Sequence, residues 1–388
     1  MLSSAGGFAG VRAALKLANK RGVEVRLLVS QSYFEYHAAL YRSATGRSPL
    51  EVAIPLREFF AYADNVTVIE DKIVGLHTDK RQVTGESGVA YPYDALVLAL
   101  GSVTAYYGIK GLKEHAYGIK SIDEALRFKR HLHDQLLKHE TERNFVVIGA
   151  GASGIELSAE LTAYLRQIRR RHDNTAPFQV QLIEAAPRIL PALPEVFSAA
   201  ITQRLKQLGV RIFTDTAIQS ETADAIQLPN GPIQSHTVIW TAGMTNNPFF
   251  EDYPEIFQFG KNKRVKVNEF LEAAPSIYVI GDSADTPYSG MAQTALHDAD
   301  FVAVNLLRAS KHRTQRSYQP RRPVYAIPVG PHRAAVLWGR WRINGRLGWL
   351  LRRLADLRLY IDFLPFTKAL TTWRFGFKQE EVCPICKR

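Results

Sequence analysis

Three glycines and a later carboxylate form the strongest chemical signal in this sequence. Gly149, Gly151 and Gly154 follow a short apolar run and open a helical pattern. Such glycines permit a tight turn, close approach of a pyrophosphate and close helix packing, and the first helical N–H groups can bind phosphate. Glu184 ends the next predicted strand, where it can accept hydrogen bonds from ribose hydroxyls and repel the 2′-phosphate of NADP. The sequence predicts an NADH site, with a tight strand-to-helix turn in an unrelated α/β fold as the alternative.

An incomplete copy of this pattern lies at the N-terminus. Gly7 and Gly10 are in register with it, but Ala5 replaces the first glycine and only four residues precede it. Because strands of such sheets run about five to six residues, we expect these four not to form the central strand, as after a mis-assigned start. Ser30 stands where an acidic residue is expected at the end of the next strand, and its hydroxyl can still bond a ribose.

Alternating strand and helix patterns surround both glycine turns. Ser121 followed by Glu124 is a capping box that predicts the start of a helix. The predicted helices are 10–20, 56–63, 121–139, 153–170 and 291–309, and the predicted strands are 23–29, 66–69, 73–79, 82–91, 95–99, 145–148, 178–184, 238–241, 276–280 and 324–328. The order of these elements favours an α/β fold with two nucleotide-binding halves.

Composition excludes several classes of protein. With 388 residues, 46% hydrophobic and 22% charged, the chain is long enough for two or three domains with cores, which excludes a disordered or fibrous protein. The sequence has no apolar run of about 18 residues and no signal-peptide pattern at its N-terminus, so we expect a cytoplasmic protein without a spanning helix.

The two cysteines, Cys383 and Cys386, lie close together at the C-terminus. They exclude a disulfide framework, and a zinc site within one chain lacks a second pair of ligands. We therefore predict no metal site. Zinc shared in a dimer, a redox-active thiol pair and a tail without function stay open for these cysteines.

Positive charge and tryptophan are concentrated at the C-terminus. Residues 310–388 hold 17 Lys or Arg against four Asp or Glu, a net charge of +13, so the other 309 residues sum to −1. Leucines recur at helical spacing over 347–361 with arginines among them, until Phe363 to Phe366 interrupts the pattern. Such a helix can lie in lipid headgroups, or it can pack on the protein body. No base-reading motif accompanies the charge, so we expect no nucleic acid partner.

The order of these motifs resembles the FAD- and NAD-dependent flavoprotein reductases. The resemblance covers residues 1 to about 310 and includes YDALVLALG at 93–101, WTAG at 240–243 and YVIGD at 278–282. Within that group the chain is most similar to the type II NADH:quinone oxidoreductases, through GGFAG at 6–10, LYRSATG at 40–46, GIEL at 154–157 with AEL at 159–161, and PRILP at 187–191.

The resemblance implies a glutathione-reductase-like fold with two Rossmann-like dinucleotide-binding domains and a small C-terminal membrane-associating domain. We expect an FAD-binding domain in two parts, 1–112 and 244–310, an NADH-binding domain at 113–243 and a basic domain at 311–388. The implied FAD-binding residues are Gly7, Gly10, Ser30, Ala99, Gly101, Asp282 and Ala292, and the implied NADH-binding residues are Gly149, Gly151, Gly154, Glu184 and Gly243. Asp282 would hold the ribityl chain, and a chain that truly begins at Met1 would retain FAD weakly.

Three residues are candidates for chemistry at the flavin. The resemblance places Glu156 near the nicotinamide, whereas a Glu in a first helical turn often only interacts with the helix dipole. Gln293 belongs to the element AQTA at 292–295, which resembles a quinone-lining motif. His297 and Asp298 replace a glutamine pair of the family, so His297 is either a proton donor to quinone or a helix residue bonded to Asp298 or to solvent.

The implied reaction passes hydride from NADH to FAD and two electrons on to a membrane quinone, without proton pumping. The implied place is the cytoplasmic face of the cell membrane, as a peripheral protein that can form a homodimer. Disulfide and sulfide:quinone reductases use cysteines near the flavin, and none precedes Cys383. A soluble NADH-dependent reductase of a small redox protein and a non-catalytic NADH-binding protein are the alternatives.

Overall fold

Helices and short strands alternate along the computed structural model, which describes residues 2–4, 6–137, 144–171 and 177–380. The helices, in chain order, are α1 (Phe8–Leu17), α2 (Leu40–Ala44), α3 (Leu56–Phe59), α4 (Leu112–His115), α5 (Ile122–Leu137), α6 (Ala152–Arg171), α7 (Glu195–Gln207), α8 (Ala292–Ala309), α9 (Arg346–Phe363) and α10 (Phe366–Phe375). The strands are β1 (Leu2–Ser4), β2 (Val25–Val29), β3 (Tyr33–Glu35), β4 (Ala53–Pro55), β5 (Val66–Glu70), β6 (Ile73–His77), β7 (Gln82–Gly85), β8 (Ala90–Pro92), β9 (Leu96–Leu98), β10 (Ser102–Thr104), β11 (Asn144–Ile148), β12 (Gln179–Ile183), β13 (Arg211–Phe213), β14 (Ser220–Glu221), β15 (Ala225–Gln227), β16 (Ile233–Gln234), β17 (Thr237–Trp240), β18 (Met244–Asn246), β19 (Glu272–Ala274), β20 (Ile277–Val279), β21 (Tyr325–Pro328), β22 (Ala334–Trp338) and β23 (Trp341–Gly345).

The first sheet has the order β19-β20-β9-β1-β2-β5 and is parallel except for β19. It carries the N-terminal glycine turn between β1 and α1. The expectation that the first four residues do not form its central strand is wrong. Leu2–Ser4 pairs with β2 on one side and with β9 on the other. Three residues suffice because β9 and β20 are themselves only three residues long and the backbone is paired on both sides.

The second sheet has the order β13-β12-β11-β17 and is parallel throughout. Its strands come from the middle of the chain, and β10 pairs antiparallel with β18 where the chain leaves the first sheet and returns to it. We propose that the domain boundaries at residues 112, 243 and 310 follow this path. The predicted α/β class with two dinucleotide-type sheets is confirmed by the two parallel sheets.

Most predicted elements differ from the structure by a few residues at their ends. The strand predicted over 82–91 is wrong as a single element, because β7 and β8 form a hairpin around a turn in which Gly88 has φ +83°. Only one of the two capping-box bonds forms as predicted, since the Glu124 carboxylate reaches the N–H of Lys120, one residue before Ser121. The Glu124 N–H donates to Ser121 Oγ at 3.2 Å, and the Glu124 carboxylate accepts from the Lys120 N–H at 2.6 Å.

The C-terminal segment contributes to the cores of both sheets. Ile327 and Leu337, on β21 and β22, belong to the core around the second sheet. Tyr360 and Phe363, on α9, belong to the core around β2 and α1. The predicted interruption is present, since α9 ends at Phe363 and α10 begins at Phe366. Within the described ranges, each helix is too short or too polar to cross a membrane.

Candidate active site

A single cleft of about 1390 Å³ joins the two glycine turns and the C-terminal segment. The predicted site residues that line it are Gly7, Ser30, Ala99, Gly101, Gly151, Glu156, Gly243, Asp282, Ala292 and Gln293. The predicted site residues that do not line it are Gly10, Gly149, Gly154, Glu184 and His297. The cleft is large enough for more than one drug-sized ligand.

The N-terminal turn leaves room for a dinucleotide. Gly7 precedes α1 in an extended conformation, and a Cβ added there would meet no atom within 4 Å. Gly10 is buried in the first turn of α1. Ser30 is exposed at the end of β2, on the cleft wall. An open helix N-terminus and an exposed hydroxyl on the same cleft wall fit a ligand that carries phosphate and ribose groups.

Hydrogen bonds hold Asp282 and the turn that carries it in place. Gly281 has φ +70°, and its N–H donates to Asp298 Oδ2 at 3.1 Å. Ser102 Oγ donates to Asp282 Oδ2 at 3.2 Å. Asp298 is fully buried and also accepts from the Tyr318 hydroxyl at 2.5 Å. Burial raises the pKa of Asp298 to about 6, although these two hydrogen bonds oppose the shift.

Sequence reasoning had missed this role of Asp298. The sequence marks Asp298 only as part of the pair, His297 and Asp298, that departs from the glutamine pair of the family. Gly281 and Asp298 are seventeen positions apart in the sequence, so the contact cannot be read from it and depends on how α8 packs against the turn. Asp298 therefore positions the loop that presents Asp282 to the cleft.

The second glycine turn shows a different role for each glycine. Gly149 has φ +99°, and a Cβ at Gly154 would lie 1.9 Å from the Gly149 carbonyl oxygen. A Cβ at Gly151 would meet no atom within 4 Å, so its backbone is open to a phosphate. Glu184 accepts from the Ala150 N–H at 2.6 Å and from the Ala186 N–H at 2.9 Å, which fixes the carboxylate beside the turn.

Glu156 is a buried carboxyl group on the cleft wall. It lies in the first turns of α6 and is only 9% exposed. Burial raises its pKa to about 7, against the opposing charges of Arg352 and Arg42. A group with that pKa can hold and release a proton near neutral pH.

The proposed acceptor residues occupy different surroundings. Ala292 and Gln293 begin α8 at the cleft. The Gln293 amide donates to the Val324 carbonyl at 2.8 Å and accepts from the Val324 N–H at 3.0 Å, so it ties α8 to the C-terminal segment. His297 is not among the residues that line the cleft, and its Nε2 lies 2.8 Å from the Gln319 carbonyl oxygen.

An ionic cluster connects α9 to the cleft. We define it as Arg42, Glu51, Arg352, Arg353 and Asp356. Arg42 contacts Glu51 at 2.7 Å and Asp356 at 2.9 Å, Arg353 contacts Glu51 at 2.7 Å, and Arg352 contacts Asp356 at 3.4 Å. Both carboxylates are fully buried, and Arg352 and Asp356 line the cleft. These contacts place positive charge close to Glu156.

Comparison with known proteins decides the family. Residues 6–299 match the family model described as pyridine nucleotide-disulphide oxidoreductase, which is about three quarters of the chain. The chain belongs to this family. The oxidoreductases of the family thus share the region that holds both glycine turns, Glu156 and Asp282.

Two curated relatives cover nearly the whole chain. The type II NADH:quinone oxidoreductase Ndh of Mycobacterium tuberculosis is 27% identical and covers 96% of this chain and 86% of its own length. The type II NADH:quinone oxidoreductase of Staphylococcus epidermidis is 25% identical and covers 91% of this chain and 92% of its own length. The predicted resemblance to type II enzymes is confirmed.

Solved structures show the same fold. NDH2 from Plasmodium falciparum, solved in complex with NADH, has a TM-score of 0.87 at 16% identity and covers 98% of both chains. Sulfide:quinone oxidoreductase from Aquifex aeolicus has a TM-score of 0.80 at 17% identity and covers 96% of this chain and 91% of its own. The predicted glutathione-reductase-like fold is therefore confirmed, and the match extends through the C-terminal segment.

Proposed function

We propose that this oxidoreductase uses FAD to take hydride from NADH and to pass two electrons to a membrane quinone, without proton pumping. The observation that carries the proposal is the single cleft, which brings both dinucleotide turns, Glu156 and the C-terminal segment together. The two bacterial relatives are named for this reaction and span more than nine tenths of the chain.

The cleft residues fit an FAD molecule at the first sheet. FAD supplies the two-electron redox chemistry when it is bound. The N-terminus of α1 at Gly7 would hold the diphosphate, Ser30 would bond the adenosine ribose, and Asp282 would bond the ribityl hydroxyls. Ala99 and Gly101 line the cleft, and Gly101, with φ +70° and no atom within 4 Å of an added Cβ, would let the backbone approach the cofactor.

The second sheet orients NADH for transfer. The open backbone at Gly151 receives the diphosphate, and Glu184 bonds the ribose hydroxyls and disfavours a 2′-phosphate. Gly243 lines the cleft with φ +75°, and a Cβ there would lie 2.4 Å from the Ala105 carbonyl oxygen, so only glycine fits this close contact. These contacts orient the donor and exclude water.

Glu156 is the proton-holding group of the site. Its buried carboxyl is about half protonated near pH 7, because burial raises its pKa to about 7. Glu156 shares the cleft wall with Gly151 of the second glycine turn and with Arg352 of α9, whose charge acts on it. Glu156 therefore supplies a proton where electrons leave the cleft, whereas His297, which is bonded outside the lining, serves α8 packing.

The outer face of α9 fits a membrane surface. Leu347, Leu350, Leu354 and Ile361 are 38–57% exposed, whereas Arg353 and Asp356 face inward and are buried. Between Leu347 and Asp356, α9 is inverted relative to a helix that packs on a core, because it buries charges and exposes leucines, whereas its last turns bury Tyr360 and Phe363. Trp338 and Trp341 flank the adjacent β22–β23 turn and are 59% and 64% exposed.

This inverted helix supports peripheral attachment at the cytoplasmic face of the membrane. The apolar face would enter the acyl boundary, and the arginines of the C-terminal segment would contact anionic headgroups. Trp338 and Leu351 also line the cleft, so its opening lies at the same surface. A quinone could then reach the cleft from the bilayer. A homodimer, the absence of a nucleic acid partner and any role of Cys383 and Cys386, which lie outside the described residues, stay predictions.

A panel of acceptors tests the proposal. NADH oxidation is measured with a short-chain quinone and with a small ferredoxin or rubredoxin, for the wild type, Glu156→Gln and Glu195→Gln as an exposed control on α7. We expect quinone turnover that falls about 10²-fold or more in Glu156→Gln and stays unchanged in Glu195→Gln. Turnover with the protein acceptor alone would instead support the soluble reductase.

A further inference from the structure

Lys120 lies where the chain passes from the first sheet to the second. It follows the backbone bridge between Tyr117 and Ile239 and precedes the start of α5. Its side chain lines the cleft, close to the paired strands β10 and β18. No sequence motif had pointed to this residue.

The ammonium group is one hydroxyl away from Asp282. Lys120 Nζ donates to the Ser102 carbonyl oxygen at 2.5 Å and lies 3.4 Å from Ser102 Oγ. Ser102 Oγ in turn donates to Asp282 Oδ2 at 3.2 Å. Lys120 Nζ also lies 3.0 Å from the sulfur of Met244. A cation is thus fixed next to the carboxylate that faces the ribityl chain.

The charge of Lys120 is desolvated, and within the described part of the chain the hydrogen-bond contacts of its Nζ are to neutral atoms. Burial lowers the pKa of Lys120 to about 8, although Asp282 and Glu124 oppose the shift. A partly buried ammonium that contacts only neutral oxygen and sulfur is costly unless an anion compensates it. Lys120 lines the cleft, so an anionic ligand bound there can compensate the charge of its ammonium group.

We propose that Lys120 binds FAD, with its ammonium group as the counter-charge to an anionic oxygen of the cofactor beside Asp282. The inference rests on the proposed function, because it requires FAD in the cleft. FAD offers two sources of negative charge, the diphosphate in both redox states and the isoalloxazine ring after reduction. The N-terminal turn has Ala5 in place of the first glycine, so a fixed cation adds affinity that the turn lacks.

Three variants separate charge from hydrogen bonding. Lys120→Met removes both, Lys120→Gln keeps a donor for the Ser102 carbonyl, and Lys120→Arg keeps the charge. Lys206→Met, at an exposed position on α7, is the matched control. The flavin is removed from each protein, FAD is titrated back to give its dissociation constant, and the flavin midpoint potential is measured. Thermal unfolding of each flavin-free protein shows whether the variant folds.

A diphosphate contact predicts that Lys120→Met and Lys120→Gln bind oxidised FAD about 10–100-fold more weakly than Lys206→Met. Lys120→Arg would recover most of the affinity, and the potential would not change. A contact to the reduced ring predicts instead unchanged affinity for oxidised FAD and a more negative potential in Lys120→Met and Lys120→Gln.

Two results would overturn the inference. Equal affinity and equal potential in Lys120→Met and Lys206→Met would exclude a role at the cofactor. Wild-type behaviour of Lys120→Gln would show that Lys120 only holds the Ser102 carbonyl. In both cases a wild type that binds FAD and is reduced by NADH leaves the proposed function standing, whereas a wild type that binds no FAD removes both.

Discussion

At the scale of single residues, burial decides which carboxyl groups hold protons. Glu156 and Asp298 are both buried on or beneath the cleft, and burial raises the pKa of each. Both carboxylate oxygens of Asp298 accept hydrogen bonds, one from the Gly281 N–H and one from the Tyr318 hydroxyl, whereas Glu156 lines the cleft. The sequence could identify Glu156 from its motif, but it could not distinguish a dipole partner from a proton-holding group, because that depends on burial by distant elements.

The pH dependence of stability tests the state of Glu156. Its pKa of about 7 in the folded protein exceeds the value of about 4.3 for an unfolded chain. The folded state therefore binds more protons between these values, and stability falls as the pH rises through that window. We expect Glu156→Gln to stabilise the protein by about 1–3 kcal/mol more at about pH 8 than at about pH 5.

Thermal unfolding midpoints of the wild type, Glu156→Gln and the exposed control Glu195→Gln at both pH values measure this difference. If the unfolding midpoints of the wild type and of Glu156→Gln change by the same amount between the two pH values, the pKa of Glu156 is not raised.

Cofactor preference tests the carboxylate at the end of β12. Glu184 is fixed by the Ala150 and Ala186 N–H groups, so its charge stays where a ribose 2′-phosphate would lie. We expect Glu184→Ser to lower the ratio of kcat/KM for NADH to that for NADPH by about 10–100-fold. The measurement is steady-state kinetics with both nucleotides, with Glu195→Gln as control. An unchanged ratio of the two kcat/KM values would show that the ribose that carries the 2′-phosphate in NADPH does not lie beside Glu184.

At the scale of elements, the helical period of the C-terminal segment could be read from the sequence, but its orientation could not. Leucine spacing predicted α9 and the break at Phe363, and both are present. Amphipathic spacing normally indicates that leucines face the core. Here Asp356 and Arg353 face inward because Arg42 and Glu51 are buried opposite them, and those residues are about 300 positions away in the chain.

Membrane binding tests the outer face of α9. The double variant Leu350→Ser with Leu354→Ser removes two exposed apolar side chains one helical turn apart. We expect about 10–100-fold weaker partition into vesicles that contain anionic lipid. The measurement is co-sedimentation with vesicles as a function of salt.

The matched control is Val89→Ser with Val196→Ser, at positions 50% and 63% exposed on other elements. Equal binding of the test and control variants would show that α9 does not contact lipid.

At the scale of the whole molecule, the ionic cluster connects the first sheet to the C-terminal segment. Asp356 is fully buried, and burial disfavours its charge, but Arg352, Arg42 and Arg353 together lower its pKa to about 2. Its folded pKa lies below its unfolded value, so its contribution to stability is present at neutral pH and is lost as the pH falls from about 4 to about 2.

Removing the charge of Asp356 should lower the stability of the folded protein, because it breaks the ion pair that joins α9 to Arg42. Asp356→Asn leaves Glu51 as the one carboxylate facing the buried Arg42 and Arg353 and removes the partner of Arg352, so we expect a loss of about 3–5 kcal/mol of stability. Asp362→Asn is the control, because Asp362 is partly exposed and pairs only with Arg358 among the ion pairs of the described chain. Thermal unfolding of both variants at neutral pH is the measurement, and similar midpoints would contradict a stabilising cluster.

The sequence predicted the two dinucleotide sheets because each glycine turn, strand and terminal residue is local in the chain. It did not predict β1, whose three residues gain their place from pairing with β2 and β9. It also missed Lys120, since the contact with Ser102 and Asp282 depends on where the chain crosses between sheets. Site residues that belong to a local motif could therefore be predicted from the sequence, and those defined by contacts between distant segments could not.

In the proposed function, electrons pass within one cleft from NADH through FAD to a quinone. An absorbance spectrum of the purified protein under anaerobic conditions, recorded first with NADH and then with a soluble quinone in the same cuvette, tests this route. We predict a flavin spectrum that bleaches with NADH and returns with quinone. A colourless protein that binds NADH, or a flavin that quinone does not reoxidise, would contradict this route of electron transfer.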